Sequence, residues 1–468
     1  LPAAKLVLAA AIGLGLYWLA GDVVGGLQNG RDSDLHRRWV VCQYVRNGIN
    51  PYPLALAALD GKYGPLGGGR AKPRVYAIPR LPADEASADS RTVELLRAQG
   101  TPEAVYPPSA DLLLSLTLGP VPERLVHLVG MIVNLALLGV CTALLCRLVT
   151  AEDRSRAALL VTVALVLLWS PARTAVLSGQ FSVLVTVCLL LAFRDLTRHE
   201  YRAGAWLAVA LIKPSITLPF LLLPLVRGRW RALAVAIGFH AAATILQAFR
   251  FGVEPWNLLR QWTGVAAYFT QGQFTLQEVL SALRLADTAA GHALVAAVLL
   301  FAAGWCLWNR AASDDALVDW LCFVSVLWTY HGPYDFVVLL IPLVRHLVPA
   351  ALRAPTSGLL KASIPLGLFV LLGIAASPLA YGDEVHFAAR LIRHGARLAL
   401  VLSAAAVGLQ VWWSARSAGV DWRSTGPAAR STSGYGGIAI VGAPSVDRCG
   451  YSPSCSGRPN EPASTSPK

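Results

Sequence analysis

Charge is scarce in this chain. Only 14% of its 468 residues are Asp, Glu, Lys or Arg, whereas 55% are hydrophobic. A soluble globular protein carries about 25% charged residues. Such a deficit is what a lipid-facing surface produces, because a charge near the bilayer centre is costly. Hydropathy alternating at period two is also missing, which argues against a transmembrane barrel. The net charge of +13 comes without an aromatic-interleaved basic face, so no nucleic-acid partner is expected. Its positive residues cluster between apolar blocks, at 147–156, 194–202 and 227–231, as in cytoplasmic connections and contacts to anionic lipid headgroups. The eight cysteines show no close metal-type pairing. Cys141 and Cys146 read as small hydrophobes in an apolar helix, and Cys449 with Cys455 could pair only within a weakly structured tail. No glycine-rich phosphate loop of either common pattern occurs. The run Gly67-Gly68-Gly69 lacks a following Lys-Ser/Thr and reads as a turn.

What the chain does contain is apolar runs, at 6–21, 159–169, 183–193 and 294–307, with a mean hydropathy of +0.53. The first reads as a membrane helix rather than a cleaved signal peptide, since only Lys5 supplies early charge and no cleavage site follows. Residues 22–106 form a large polar insertion with a short surface helix over 84–97. Further membrane segments are expected near 107–119, 125–147, 156–170, 176–193, 203–226, 231–249, 289–308, 317–330, 334–348, 361–379 and 391–413. The fold class is an all-α polytopic membrane protein with about eleven to thirteen membrane helices, some broken. It divides into one membrane domain over 1–414, with polar loops at 22–106 and 250–288, and a disordered tail over 415–468 that is rich in Ser, Gly and Pro. Basic residues at 147–156 look cytoplasmic. Counting crossings from a cytoplasmic N-terminus puts them outside unless 107–119 fails to cross.

Four polar clusters border or interrupt the apolar segments. Asp32, Asp34 and His36 follow the first helix. Arg173 precedes Ser178-Gly179-Gln180. Lys213 stands before Pro214, where proline removes a donor and breaks the helix. Tyr330 and His331 precede Asp335. A carboxylate at the interface can take a proton from a hydroxyl, and Lys, Arg or His can hold a phosphate whose charge grows as it leaves. The set suits transfer of a group from a lipid-linked phosphate to a hydroxyl. One aspartate suffices for in-line inversion, whereas a covalent route wants a second, closely placed carboxylate. Asp34 is the first candidate for the base and Asp32 the second. Lys213 reads equally as a phosphate contact or as a lysine snorkelling to the interface. Gln180 reads as a brace between helices. Trp256, Trp262, Tyr268 and Phe269 read as interface-belt aromatics, with a sugar-stacking platform as the alternative.

The strings resemble those of the bacterial polyprenyl-phosphate-dependent mannosyltransferases, glycosyltransferase family 87 in the GT-C superfamily. They are Asp34-Leu35, Tyr44, Gly48-Ile49-Asn50-Pro51-Tyr52, Tyr106-Pro107-Pro108, Ser178-Gly179-Gln180 and the block from Ala203-Gly204 through Lys213-Pro214 to Arg229-Trp230-Arg231. Trp328-Thr329-Tyr330-His331 with Tyr334 completes them. The resemblance implies an inverting glycosyltransferase in the bacterial plasma membrane, acting on the extracytoplasmic face. Its donor would be a polyprenyl-phosphate sugar, usually mannose, and its acceptor a lipid-linked or cell-envelope glycan. Asp34, in the first outer loop, takes the place of the general base. His331 is thereby expected near donor phosphate or acceptor; the polar clusters themselves offer Lys213, Arg173 and Tyr330 for the same contact. Asp335 stands where the family often has tryptophan. No cofactor or metal is required, although Asp32 and Asp34 could bind a divalent ion. The rival reading is a transporter or flippase of a lipid-linked sugar, against which stands the lack of an inverted repeat.

Overall fold

The computed structural model describes residues 2–28, 33–63, 90–99, 102–149, 155–269, 289–328 and 332–352. The expected segments at 361–379 and 391–413, the tail at 415–468, and Asp32, Tyr330 and His331 lie outside the described residues. Every regular element among those described is helical. In chain order they are α1 (Pro2–Gln28), α2 (Asp34–Arg46), α3 (Pro51–Tyr63), α4 (Ser90–Gln99), α5 (Pro108–Thr117), α6 (Glu123–Cys146), α7 (Arg156–Leu168), α8 (Ser170–Ser178) and α9 (Ser182–Asp195). Next come α10 (Glu200–Ala210), α11 (Pro214–Thr217), a 3-10 turn (Leu218–Leu221), α12 (Leu222–Val226), α13 (Trp230–Phe251) and α14 (Pro255–Phe269). Last are α15 (Ala289–Trp308), α16 (Asp314–Leu327), a 3-10 stretch (Pro333–Leu339) and α17 (Leu340–Leu352).

Three helices, α1 from Lys5 onward, α6 and α13, are each long and apolar enough to cross a membrane. The pair α7 and α8 qualifies together, bent by 57° at Trp169. Among the described residues, the other apolar segments include shorter helices such as Pro214–Val226 and Ala293–Trp308. On α6 the outward face carries Leu125, Leu128, Val129, Ile132, Val133 and Val140, all exposed. The inward face buries Val126, Met131, Leu138, Cys141 and Leu145. Exposed apolar surface of that extent on consecutive turns is a lipid-facing surface. On α13 the same face carries Ile237, Phe239, Ile245, Leu246 and Phe249. The chain is an all-α polytopic membrane protein.

The structure departs from the expected segments at three places. Residues 107–119 form only the ten-residue α5, about 15 Å long, half of what a crossing takes. Pro108 starts it, and the turn Leu118–Gly119 stops it. A Cβ on Gly119 would collide with the Ser115 carbonyl and the Arg46 side chain. Residues 176–193 are not one helix, because α8 ends at Ser178 and α9 begins at Ser182. The short surface helix runs over Ser90–Gln99 rather than 84–97, and its Leu96 is buried. The break at Lys213-Pro214 falls where the sequence puts it, between α10 and α11.

These elements arrange the polar residues at two opposite ends. At one end Arg227 pairs with Asp314 at 2.5 Å, Arg229 with Glu200 at 3.1 Å, and Arg345 with Asp315 at 3.0 Å. Arg194 and Arg202 hold Asp195 there, at 2.9 and 3.4 Å. The helix α9 then runs about 20 Å, at 1.5 Å per residue, to Ser182 at the other end. The helix α6 covers still more between Glu123 and Cys146, and carries Arg147 at its end away from α2. Because α5 does not cross, the crossing count and the positive charge agree.

Candidate active site

At the end away from Arg194, Arg202, Arg227, Arg229 and Arg345, the elements α2, α8, α9, the Lys213 break and the Pro333–Leu339 stretch meet. Ser33 caps α2, its Oγ accepting from the His36 amide at 3.2 Å, the ordinary role of serine there. The same oxygen lies 3.0 Å from His127 Nδ1 on α6, which ties the cap to a membrane helix. Asp34 is the first residue of α2, where the helix dipole favours a carboxylate. His36, two residues further on, faces Glu123 at 3.4 Å.

The turn between α8 and α9 explains the string Ser178-Gly179-Gln180. Gly179 closes α8 with φ of +69°, the left-handed conformation that glycine adopts most readily. A Cβ there would also stand 2.5 Å from Leu35 Cβ. Without a side chain, the turn drops directly onto the start of α2. Gln180 then reaches across it. Its Nε2 donates to Asp34 Oδ2 at 2.5 Å, and its Oε1 accepts from Lys213 Nζ at 3.0 Å and from the Tyr106 hydroxyl at 3.2 Å. One amide joins the early carboxylate to the mid-chain lysine.

Lys213 is 6% exposed. Its ammonium donates to Gln180 Oε1, to Ser182 Oγ at 3.0 Å and to Asp335 Oδ1 at 2.5 Å. It also sits 4.5 Å from the centre of the Tyr334 ring. Ser182 donates to the same Asp335 oxygen at 2.5 Å. The snorkelling reading of Lys213 therefore does not hold: the chain turns inward, and burial of a charge is compensated by pairing and hydrogen bonds. Trp328 Nε1 donates to the Ser215 carbonyl at 2.6 Å, fastening the end of α16 to the break.

Asp34 keeps about a quarter of its side chain exposed and lies 3.6 Å from Arg37. Arg37 also reaches Glu103 at 3.4 Å, and Arg38 approaches the same carboxylate at 3.9 Å while lying 4.9 Å over the Tyr106 ring. Beneath them Tyr52 donates to Asp111 Oδ2 at 2.8 Å and to the Tyr106 carbonyl at 3.0 Å. Burial, with the Asp111 carboxylate next to it, pushes the Tyr52 phenol well above its ordinary range, so it remains a donor. Glu103, Arg38 and Asp111 carried no signal as partners in the sequence. Glu103 lies 65 and 66 positions from the arginines it holds, a spacing that no local pattern encodes.

The structure thus brings Asp34, Gln180, Lys213 and Asp335 together. Arg173 is placed apart from that network. It pairs with Asp22 of α1 at 3.4 Å and lies 4.8 Å over the Trp18 ring. Trp256 is exposed, while Trp262 is half-buried and donates to the Val105 carbonyl at 3.1 Å, which makes it a packing residue of α14. The side chains of Tyr268 and Phe269 lie outside the described residues. Among the described residues, no three His, Cys, Asp or Glu side chains converge where they could hold a metal ion.

No curated protein and no solved structure matches the chain. Residues 104–330 match the family model of glycosyltransferase family 87. That stretch contains Gln180, Ser182, Lys213 and Tyr330, while Asp34, His331 and Asp335 flank it. This match, over just under half of the chain, together with the helical membrane fold, supports membership of glycosyltransferase family 87 and, with it, a glycosyltransferase activity.

Proposed function

We propose that the protein moves a sugar, mannose in the first instance, from a polyprenyl-phosphate donor to a hydroxyl of a lipid-linked or cell-envelope glycan, with inversion. Asp34 is the general base. The observation that carries this reading is one partly exposed carboxylate, oriented by the Gln180 amide, at the end of the molecule opposite the arginines. Asp335 and Asp111 are each 1% exposed and already bonded within the protein. Neither is presented as the second carboxylate that a covalent route needs, and Glu103, about as exposed as Asp34, is held by Arg37 and Arg38.

In the forward step the acceptor hydroxyl attacks the anomeric carbon while its proton passes to Asp34. The bond from that carbon to the phosphate oxygen breaks, and polyprenyl phosphate leaves with the electron pair. Side-chain cations stabilise the growing phosphate charge. His331 and Tyr330 are proposed for that contact. His331 is four residues before Asp335, within about 15 Å along the chain at 3.8 Å per residue. Arg37 braces the base. Lipid holds the prenyl tail along the apolar wall. The positive-inside rule supports cytoplasmic arginines and an extracytoplasmic site in a bacterial plasma membrane.

The test uses purified full-length protein in lipid nanodiscs with a radiolabelled polyprenyl-phosphate mannose and a membrane glycolipid fraction as acceptor. Labelled product and free polyprenyl phosphate should appear together, EDTA should leave the rate unchanged, and Asp34→Asn should abolish turnover. Full transfer by Asp34→Asn would remove the base from its role. Movement of the label across vesicles without release of lipid phosphate would favour the flippase reading instead.

A further inference from the structure

Lys213 is a deeply set cation of the site, and a buried lysine in a glycosyltransferase invites assignment to the donor phosphate. Its bonding argues otherwise. An ammonium has three protons to donate, and here Gln180 Oε1, Ser182 Oγ and Asp335 Oδ1 accept all three. A phosphate could be bound only by giving up one of these bonds, and Asp335 already balances the charge. The three acceptors come from the α8–α9 turn, the start of α9 and the Pro333–Leu339 stretch, and Trp328 locks the neighbouring Ser215 carbonyl in place.

What the lysine does control is Gln180. A side-chain amide can present either its oxygen or its nitrogen to Asp34. With Oε1 fixed by Lys213 and by the Tyr106 hydroxyl, Nε2 must point at the carboxylate. We propose that Lys213, clamped by Asp335 and Ser182, is a positioning residue that sets the Gln180 amide and through it the orientation of Asp34, and is not a donor-phosphate contact. Asp335 is thereby a member of the same clamp. The proposal rests on the reaction proposed above. Misplacing a reacting group by about 1 Å can cost on the order of a hundredfold in rate, so a clamp two residues removed from the chemistry acts on kcat rather than on donor affinity.

The experiment compares wild type, Gln180→Leu, Lys213→Met and the double variant Lys213→Met/Asp335→Leu, all full-length in nanodiscs. The single lysine change leaves a buried carboxylate without its partner and can fail to fold; the double variant removes both charges and avoids that penalty. For the double variant, binding of a polyprenyl monophosphate, read by native mass spectrometry, should stay within about twofold of wild type, while kcat falls at least tenfold. Gln180→Leu should lose as much, and adding it to the double variant should cost less than about twofold more, because residues acting as one unit are non-additive. A cryo-EM structure of the double variant should show the Gln180 nitrogen released from Asp34. A tenfold or greater loss of lipid-phosphate affinity, an unchanged kcat, or an amide that stays in place would each overturn the proposal. If wild type transfers no sugar while phosphate affinity is kept and the amide moves, the reaction assignment fails and the clamp stands.

Discussion

Replacing Gly179 by alanine should be among the most damaging single-atom additions near the site, and its cost divides into two parts. The first is backbone strain. At φ of +69°, an L-residue with a Cβ pays about 1–2 kcal/mol. The second is steric. The new Cβ would stand 2.5 Å from Leu35 Cβ, and overpacking of that kind costs about 1–3 kcal/mol. The expected loss for Gly179→Ala is therefore about 2–5 kcal/mol in unfolding free energy. Two partner variants separate the parts. Gly179→Asn keeps the collision but relieves strain, since asparagine tolerates the left-handed region. Leu35→Gly removes the colliding Cβ and leaves the strain. The assay is equilibrium unfolding in mixed micelles followed by tryptophan fluorescence. In the cycle of Gly179→Ala with Leu35→Gly, the double variant should be more stable than the sum of the singles predicts, by about 1–3 kcal/mol. Turnover of Gly179→Ala at a temperature where it stays folded should also fall, because Gln180 follows directly. A loss below about 0.5 kcal/mol, or additive singles, would refute the account of this turn.

Three further outcomes are expected. Asp34→Asn should leave thermal stability and lipid-phosphate binding near wild type while abolishing transfer; normal transfer rates would contradict its role as base. Tyr52→Phe deprives buried Asp111 of its donor and should cost about 1–3 kcal/mol, visible as a lower unfolding midpoint, whereas an unchanged midpoint would mean that Asp111 has other support. Arg173→Met should lower stability by about 1 kcal/mol, modest because the Asp22 partner is partly exposed. Donor affinity should not change, and a tenfold loss of it would return Arg173 to the phosphate.

Much of this was readable beforehand. The interruptions at Lys213-Pro214 and at 330–335 could be marked in the sequence because proline and clustered polar residues break apolar runs. Asp34 stood out as an acid just past the first membrane helix. Their meeting could not be read. Gln180 contacts Asp34 across 146 positions and Lys213 contacts Asp335 across 122, and hydropathy carries no information on pairing at such separations. The short α5 was misjudged for a related reason. Residues 107–119 are apolar because they pack against α2 and α13 inside the protein, and burial in protein writes the same composition as burial in lipid. Glycine at 179 was visible as part of a string, but only the approach of Leu35 explains why a side chain is excluded there.

The arginine-rich pole has a consequence for how the protein can be altered. On the proposed topology, the groups that would tell a nascent chain which way to insert stand a full helix length from those that would handle the sugar. Orientation and reactivity can therefore be engineered independently. Neutralising Arg194, Arg202, Arg227 or Arg229 should act on topology and yield in the bilayer, while a correctly inserted molecule keeps its reaction chamber intact.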